Sequence, residues 1–218
     1  MKREARVVIV GGGVAGCSLL YHLAELGVTD AVLVEKNELT SGSTWHAAGL
    51  CTQFNASFNM MKLLQYSVEL YQKLETKTGQ AVDYHRCGSV RLATSEERLD
   101  EFRHRKGIAD TLSVPFEIVS PERASELFPL VDLDGVVGAA YLESDGHVDP
   151  NDVTQAFAKG AQAHGAEILR HTAVTGIERS GGGWLVKTSK GEILAEIVVN
   201  AAGQWARELG RLVGIDLP

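Results

Sequence analysis

The sequence predicts an α/β protein built on a parallel sheet, and three observations predict it. The β-branched run Arg6 to Val10 breaks into Gly11-Gly12-Gly13 and passes directly into a helical pattern. A second apolar run, Ala31 to Glu35, follows the helix stop at Gly27. A third, Glu196 to Asn200, lies near the other end of the chain and breaks into Ala201-Ala202-Gly203. Continuous apolar runs of strand length mark strands buried on both faces, the habit of parallel sheets. The sheet is therefore expected to be assembled discontinuously, from both ends of the chain.

The first helix is expected from Val14 to Leu26, with Leu19, Leu20, Leu23 and Leu26 along one face and Gly27 ending it. A polar loop rich in Ser, Thr and Gly runs from Lys36 to about Ala56. Phe58, Met61, Leu64, Val68, Tyr71 and Leu74 then recur at helical spacing and mark an amphipathic, core-facing helix. From Val82 to Leu142 the texture changes. Strands are expected at Gly88 to Ala93, Phe116 to Val119 and Val136 to Leu142, with a charged helix from Glu96 to about Lys106 and a short one from Pro121 to Leu127. Asp149 reads as an N-cap, with Pro150 in the first helical position, for a helix reaching about His164. Ala166 to Leu169 is a further strand. Thr172 to Arg179 and Trp184 to Thr188 form a hairpin through Gly181-Gly182-Gly183, Glu192 to Ala195 adds a strand, and a helix starts near Gln204.

Composition narrows the function. The 218 residues carry a formal net charge of −7 and no basic run, so a nucleic-acid partner is not expected. No stretch approaches the roughly 18 apolar residues of a bilayer span. With the first strand beginning by Arg6, the reading is a cytoplasmic protein without membrane association, or a mitochondrial-matrix one whose presequence has been removed. Cys17, Cys51 and Cys87 fit neither a disulfide framework nor a metal site, and no metal is expected. No histidine has a partner spacing that suggests hydrolytic chemistry.

The most informative residues are Gly11, Gly13 and Gly16, a G-x-G-x-x-G set between strand and helix. Gly11 permits the tight turn, Gly13 the approach of a pyrophosphate, and Gly16 close packing of helix on strand. The amide groups of Val14 and Ala15 open the helix, whose positive end attracts phosphate. Glu35 ends the second strand 24 positions after Gly11, where a carboxylate can accept from ribose hydroxyls or simply close a strand at the surface. Together these predict a Rossmann-like dinucleotide-binding domain. The second small-residue turn, Ala201-Ala202-Gly203, either offers another close backbone approach or is a plain strand-to-helix turn; together with the first motif it resembles the second dinucleotide contact of FAD-dependent oxidoreductases, which favours FAD over NAD. Ser43 and Thr44 could donate to the pyrophosphate or form a local turn. Asp149 is better explained as a helix cap than as a catalytic acid.

Several longer runs carry a family resemblance: Glu38 to Leu50, containing Gly-Ser-Thr-Trp-His-Ala-Ala-Gly-Leu; Cys87-Gly88-Ser89-Val90-Arg91-Leu92-Ala93-Thr94; Asp145-Gly146-His147-Val148-Asp149-Pro150; and Asn200-Ala201-Ala202-Gly203-Gln204-Trp205. In order and over essentially the whole chain, they resemble the dimethylglycine and sarcosine dehydrogenases of the D-amino-acid-oxidase-like (DAO) flavoenzymes, with the first run closest to the dimethylglycine branch. The resemblance implies covalent attachment of FAD to His46. It also implies cofactor contacts from Lys36, Ala47, Ala48, Gly49, Leu50 and Trp205, and a backbone contact to adenine at Val174. It implies oxidative demethylation of a small N-methylated amino acid, with electrons passing to an electron-transfer flavoprotein or to oxygen. Tetrahydrofolate binding is implied only for a longer form.

The expected layout is a FAD-binding domain in two parts, 1–81 and 144–218, with part of an α+β substrate domain inserted at 82–143. Family members continue beyond the point matching Pro218, and their proposed catalytic histidine, in a His-Gln-Tyr segment, lies there; no catalytic base is assigned to this chain. A sarcosine dehydrogenase or oxidase, and a non-catalytic fragment or regulatory relative of the same fold, are the alternatives. The Trp45-His46 pair argues against the regulator, which has no need of a flavin tether.

Overall fold

The computed structural model describes residues 4–218, which form two compact units. One comprises Met1–Ala48, Leu74–Val82 and Asp149–Pro218, the other Gly49–Lys73 and Asp83–Val148. These limits differ from the expected segmentation: residues 49–73 and 144–148 group with the second unit and not with the first, and Val82 groups with the first.

The first unit is organised by a six-stranded sheet. Strands β1 (Glu4–Val10) and β2 (Ala31–Val34) come from the start of the chain, and β8 (Glu167–Leu169), β9 (Val174–Ser180), β10 (Gly183–Thr188) and β11 (Gly191–Asn200) from its later part. The order is β8-β2-β1-β11-β10-β9. The first four strands are mutually parallel, and β11, β10 and β9 continue as an antiparallel meander. The discontinuous parallel sheet read from the sequence is therefore present. One correction concerns β11. The runs 192–195 and 196–200 are a single ten-residue strand that pairs with β10 over its first half and with β1 along most of its length.

Two helices pack together within this unit, α1 (Val14–Glu25) and α5 (Pro150–Ala163). The buried face of α1 is Gly16, Cys17, Leu20, Tyr21 and Ala24, not the leucine stripe expected from spacing. Leu19 and Leu23 are half-buried, and Leu26, beyond the last turn, is 80% exposed. Close approach selects small residues on this helix, and a leucine count misses them. The Tyr21 and Phe157 rings meet at 5.3 Å, and a β-carbon at Gly160 would fall 2.7 Å from the Tyr21 ring. Asp149 caps α5 as expected, its carboxylate accepting from the Asn151 and Asp152 N–H groups.

The second unit carries β3 (Leu50–Cys51) paired with β7 (Gly146–His147), and the antiparallel sheet β4-β6-β5, formed from Ser89–Ala93, Gly138–Leu142 and Phe116–Val119. Its core gathers Met61, Ala93, Leu99, Phe102, Phe116, Ala140 and Leu142. Helix α2 (Phe58–Thr78) keeps most of the expected stripe, burying Met61 and Val68 in this unit and contributing its last turns, with buried Leu74, to the first. Leu64 and Tyr71 are half-buried; Phe58, in the first turn, is instead exposed. Helix α3 (Glu96–Leu112) runs past the expected stop near Lys106. Gly107 does not break it, because buried Ala109 and partly buried Ile108 and Leu112 hold the last turns on the core, and Ser113 in the left-handed region ends it. Helices α4 (Pro121–Leu127) and α6 (Ala206–Arg211) complete the elements.

Replacing Asp149 with Ala removes two capping bonds and is expected to cost about 1 kcal/mol of stability, read as a lower urea midpoint with an unchanged m-value.

Candidate functional site

The site begins where β1 ends. Gly11 N–H donates to the Val34 carbonyl of β2 at 2.9 Å, and Ala201 N–H donates to the Val10 carbonyl at 2.9 Å, so three strand ends stand level. Gly11 has φ +119°, and a β-carbon there would collide with the Ala201 carbonyl. A β-carbon at Gly16 would collide in the same way with the Gly11 carbonyl oxygen. The glycine spacing thus lets helix, strand and return strand meet backbone to backbone.

Glu35 is held at the tip of β2 by two amides. Its Oε2 accepts from Gly12 N–H at 2.7 Å and its Oε1 from Asn37 N–H at 2.8 Å. Each carboxylate oxygen keeps a second acceptor site. The loop that follows is anchored at two points. Thr40 N–H donates to the Gly12 carbonyl at 3.0 Å, and the buried Thr44 hydroxyl accepts from Val14 N–H at 3.1 Å. The Thr44 hydroxyl thus meets a free amide at the start of helix α1, a role neither sequence reading gave it, and that helix has no acidic residue in its first turn to offset its positive end.

These elements enclose a cavity of about 480 Å³. Its floor is Gly11, Gly13, Val14 and Ala15. Glu35, Lys36, Ser43 and Thr44 form one wall; Ala201, Ala202, Gly203 and Trp205 form another. Val174 lines it from β9, beside Thr172 and Ala173, which sequence reasoning missed. Thr172 N–H donates to the Glu35 carbonyl at 2.7 Å, a contact no local pattern announces. Leu209 and Leu212 were also missed, although their i, i+3 spacing after Trp205 marks a lining face. Lys36 Nζ sits 3.4 Å from the centre of a Trp205 ring, a cation–π contact at the cavity wall.

Not every expected residue reaches the cavity. Gly16 lies beneath it, at the helix–strand crossing. His46 sits in a 3₁₀ turn, Thr44–His46, with its ring 3.7 Å from that of Trp45, and neither lines the cavity; the side chains of His46, Ala47 and Ala48 are exposed. Gly49 and Leu50 belong to the second unit.

In that unit the structure exposes a constellation for which the sequence supplied only a motif. Asp145, 1% exposed, accepts from the Ser89 hydroxyl at 2.6 Å, the Thr52 hydroxyl at 2.7 Å and Gln53 N–H at 2.8 Å. It thereby fixes the segment after Leu50. Burial, and then the Asp145 charge, push the Cys51 thiol up to about 11; burial, and then the Glu35 charge, push Cys17 up to about 12. Among the described residues no cluster of His, Cys, Asp and Glu could hold a metal ion, and no helix is long and apolar enough to cross a membrane.

The family model for FAD dependent oxidoreductases (DAO) matches residues 6–218. The chain belongs to the DAO family of FAD-dependent oxidoreductases. Within it, this chain is 46% identical over its full length to "Dimethylglycine dehydrogenase, mitochondrial" of Rattus norvegicus, of which it spans 25%. It is 39% identical over 216 residues, 99% of the chain and 26% of the relative, to "4-methylaminobutanoate oxidase (formaldehyde-forming)" of Paenarthrobacter nicotinovorans. The chain thus spans about a quarter of the length of these two relatives. Among solved structures, L-proline dehydrogenase from P. horikoshii superposes with a TM-score of 0.91 at 30% identity, covering 100% of this chain and 58% of that one.

Two outcomes are expected from these DAO-family units. At mildly alkaline pH the raised thiols of Cys17 and Cys51 stay protonated and buried, so an alkylating reagent labels Cys87 alone until denaturant is added, as read by intact mass. Asp145→Ala strands two hydroxyls and an amide in a buried pocket and costs about 3 kcal/mol in urea unfolding.

Proposed function

We propose that this chain binds FAD through the cavity at the end of β1 and serves an enzyme that oxidatively demethylates a small N-methylated amino acid, dimethylglycine-like in size. The observation that carries the reading is the close meeting of Gly11 and Gly16, neither of which has room for a β-carbon, with each other and with the Ala201 backbone, which leaves an anion-accepting helix end facing a cavity of about 480 Å³. Glu35 is read as the acceptor for the ribose hydroxyls, the amides at the start of α1 with Ser43 and Thr44 as the pyrophosphate contacts, and the backbone at Val174 as the adenine contact; their shared lining of one cavity supports this reading. The names of both relatives describe oxidation of N-methylated amino acids, which supports the substrate class.

When bound, FAD supplies the two-electron acceptor for a C–H bond of an N-methyl group, and the resulting iminium ion is hydrolysed to formaldehyde and the demethylated amine. This chain's own residues hold the cofactor, and unit 49–73 plus 83–148 is read as part of the substrate domain. His46 is read as the covalent attachment point. Its exposed ring, tilted against that of Trp45, has no hydrogen-bond partner among the described residues that would have to be given up, and a neutral imidazole is a competent nucleophile near pH 7. The electron acceptor is read as an electron-transfer flavoprotein or oxygen.

Acid precipitation tests the tether. Flavin fluorescence is expected to stay with the wild-type pellet and to leave the His46→Ala pellet; retention in both would move the link to another residue. In the FAD-loaded protein, anaerobic bleaching of the flavin by dimethylglycine or sarcosine, and not by the unmethylated amino acid, is the corresponding result for the substrate.

A further inference from the structure

The second unit contains six arginines, and five of them are ion-paired. Arg86 pairs with Glu143, Arg98 with Glu101, Arg103 with Asp100, Arg105 with Glu101 and Arg123 with Glu126. Arg91, on β4, is the exception among the described residues. Its Nε is buried without a hydrogen-bond partner, and its Nη2 makes one long contact, 3.5 Å, to the Thr52 hydroxyl. The Phe54 ring lies 5.5 Å from its guanidinium carbon. The carboxylate nearest through hydrogen bonds is Asp145, reached only through Thr52. Asp145 is already engaged by Thr52, Ser89 and the Gln53 amide, with the Gln53 side chain at 3.4 Å.

A guanidinium stays charged at every physiological pH, and a buried N–H without a partner is costly. The Nε–Nη2 edge is the side-on fork that matches a carboxylate. Arg91 and Thr52 are each only partly buried as residues, although Nε itself is covered, so a ligand reaching that edge has to displace what covers it. A residue kept only to balance Asp145 would be expected to contact it directly, as the other five arginines contact their acids.

We propose that Arg91 is a carboxylate anchor, taking the carboxylate of the N-methylated amino acid side-on through Nε and Nη2, with the Thr52 hydroxyl beside it. This rests on the substrate class read above and adds the residue that selects an amino acid over a simple amine.

The test uses the FAD-loaded protein, isotope-labelled at arginine, with the Arg91 Nε–H resonance assigned through its own side chain. Dimethylglycine and acetate are expected to move that resonance saturably, and dimethylamine to leave it in place. Arg91→Lys is expected to weaken dimethylglycine binding at least tenfold without changing dimethylamine binding. A resonance that stays still under both carboxylates overturns the anchor and needs no variant to fold; undiminished dimethylglycine binding by a folded Arg91→Lys protein overturns it equally. Flavin bleaching separates this from the functional reading. Bleaching by dimethylglycine with a stationary Arg91 resonance removes the anchor and keeps the oxidation; a moving resonance without bleaching keeps the anchor and removes the oxidation.

Discussion

Everything in the first unit depends on one contact: the backbone of Gly11 against that of Ala201, with the start of helix α1 crossing Gly11 at Gly16. The pairing of Val10 with Val34 on one side and Asn200 on the other brings three parallel strands to the same level. From that level the chain must turn away in three directions within a few ångströms. Any β-carbon at Gly11 or Gly16 would push helix or return strand outward. The residues that leave the strand ends, Glu35 on β2 and Ala201 to Gly203 after β11, then could not share a wall with the helix N-terminus. The site lies at the carboxyl ends of the strands because only there do the connections diverge enough to open a crevice.

The same constraint explains why the loop after β2 is ordered. Its residues are polar, and read in isolation they are a connection without structure of its own. Yet Gly12 sits where the Glu35 carboxylate and the Thr40 amide both reach it, and Val14 offers an amide that its own helix cannot satisfy. Each of those groups would be unpaired without the loop. The loop is thus held by the needs of the glycine turn, and it carries the turn containing Trp45 and His46 out beyond the cavity.

Legibility followed the range over which each signal acts. The strand–glycine–helix unit, the Glu35 position and the Asp149 cap depend on neighbours in sequence, and they stand in the structure as expected. The face of α1 did not, because Gly16, Cys17 and Ala24 are buried by virtue of being small where α5 and the sheet come close, and apolar spacing weights the leucines instead. The split of β11 failed for a related reason: the antiparallel neighbour β10 stops at Ala195 while the parallel neighbour β1 continues to Asn200, which alters the side-chain pattern without interrupting the backbone ladder. Thr172 and Asp145 were invisible as site residues because their partners lie 137 and 93 positions away.

Asp145 and Arg91 mark the limit of what a motif can say. Both fall inside runs that carry the family resemblance, and such a run is equally compatible with packing, folding or binding. What separates them is satisfaction. Asp145 is a buried charge whose lone pairs are met by hydroxyls and amides of its own unit, so its role is complete within the fold. Arg91 is a charge whose best edge is unmet. In a unit where every other arginine has its acid, a polar group left incomplete by the fold is the clearest sign that something outside the chain completes it.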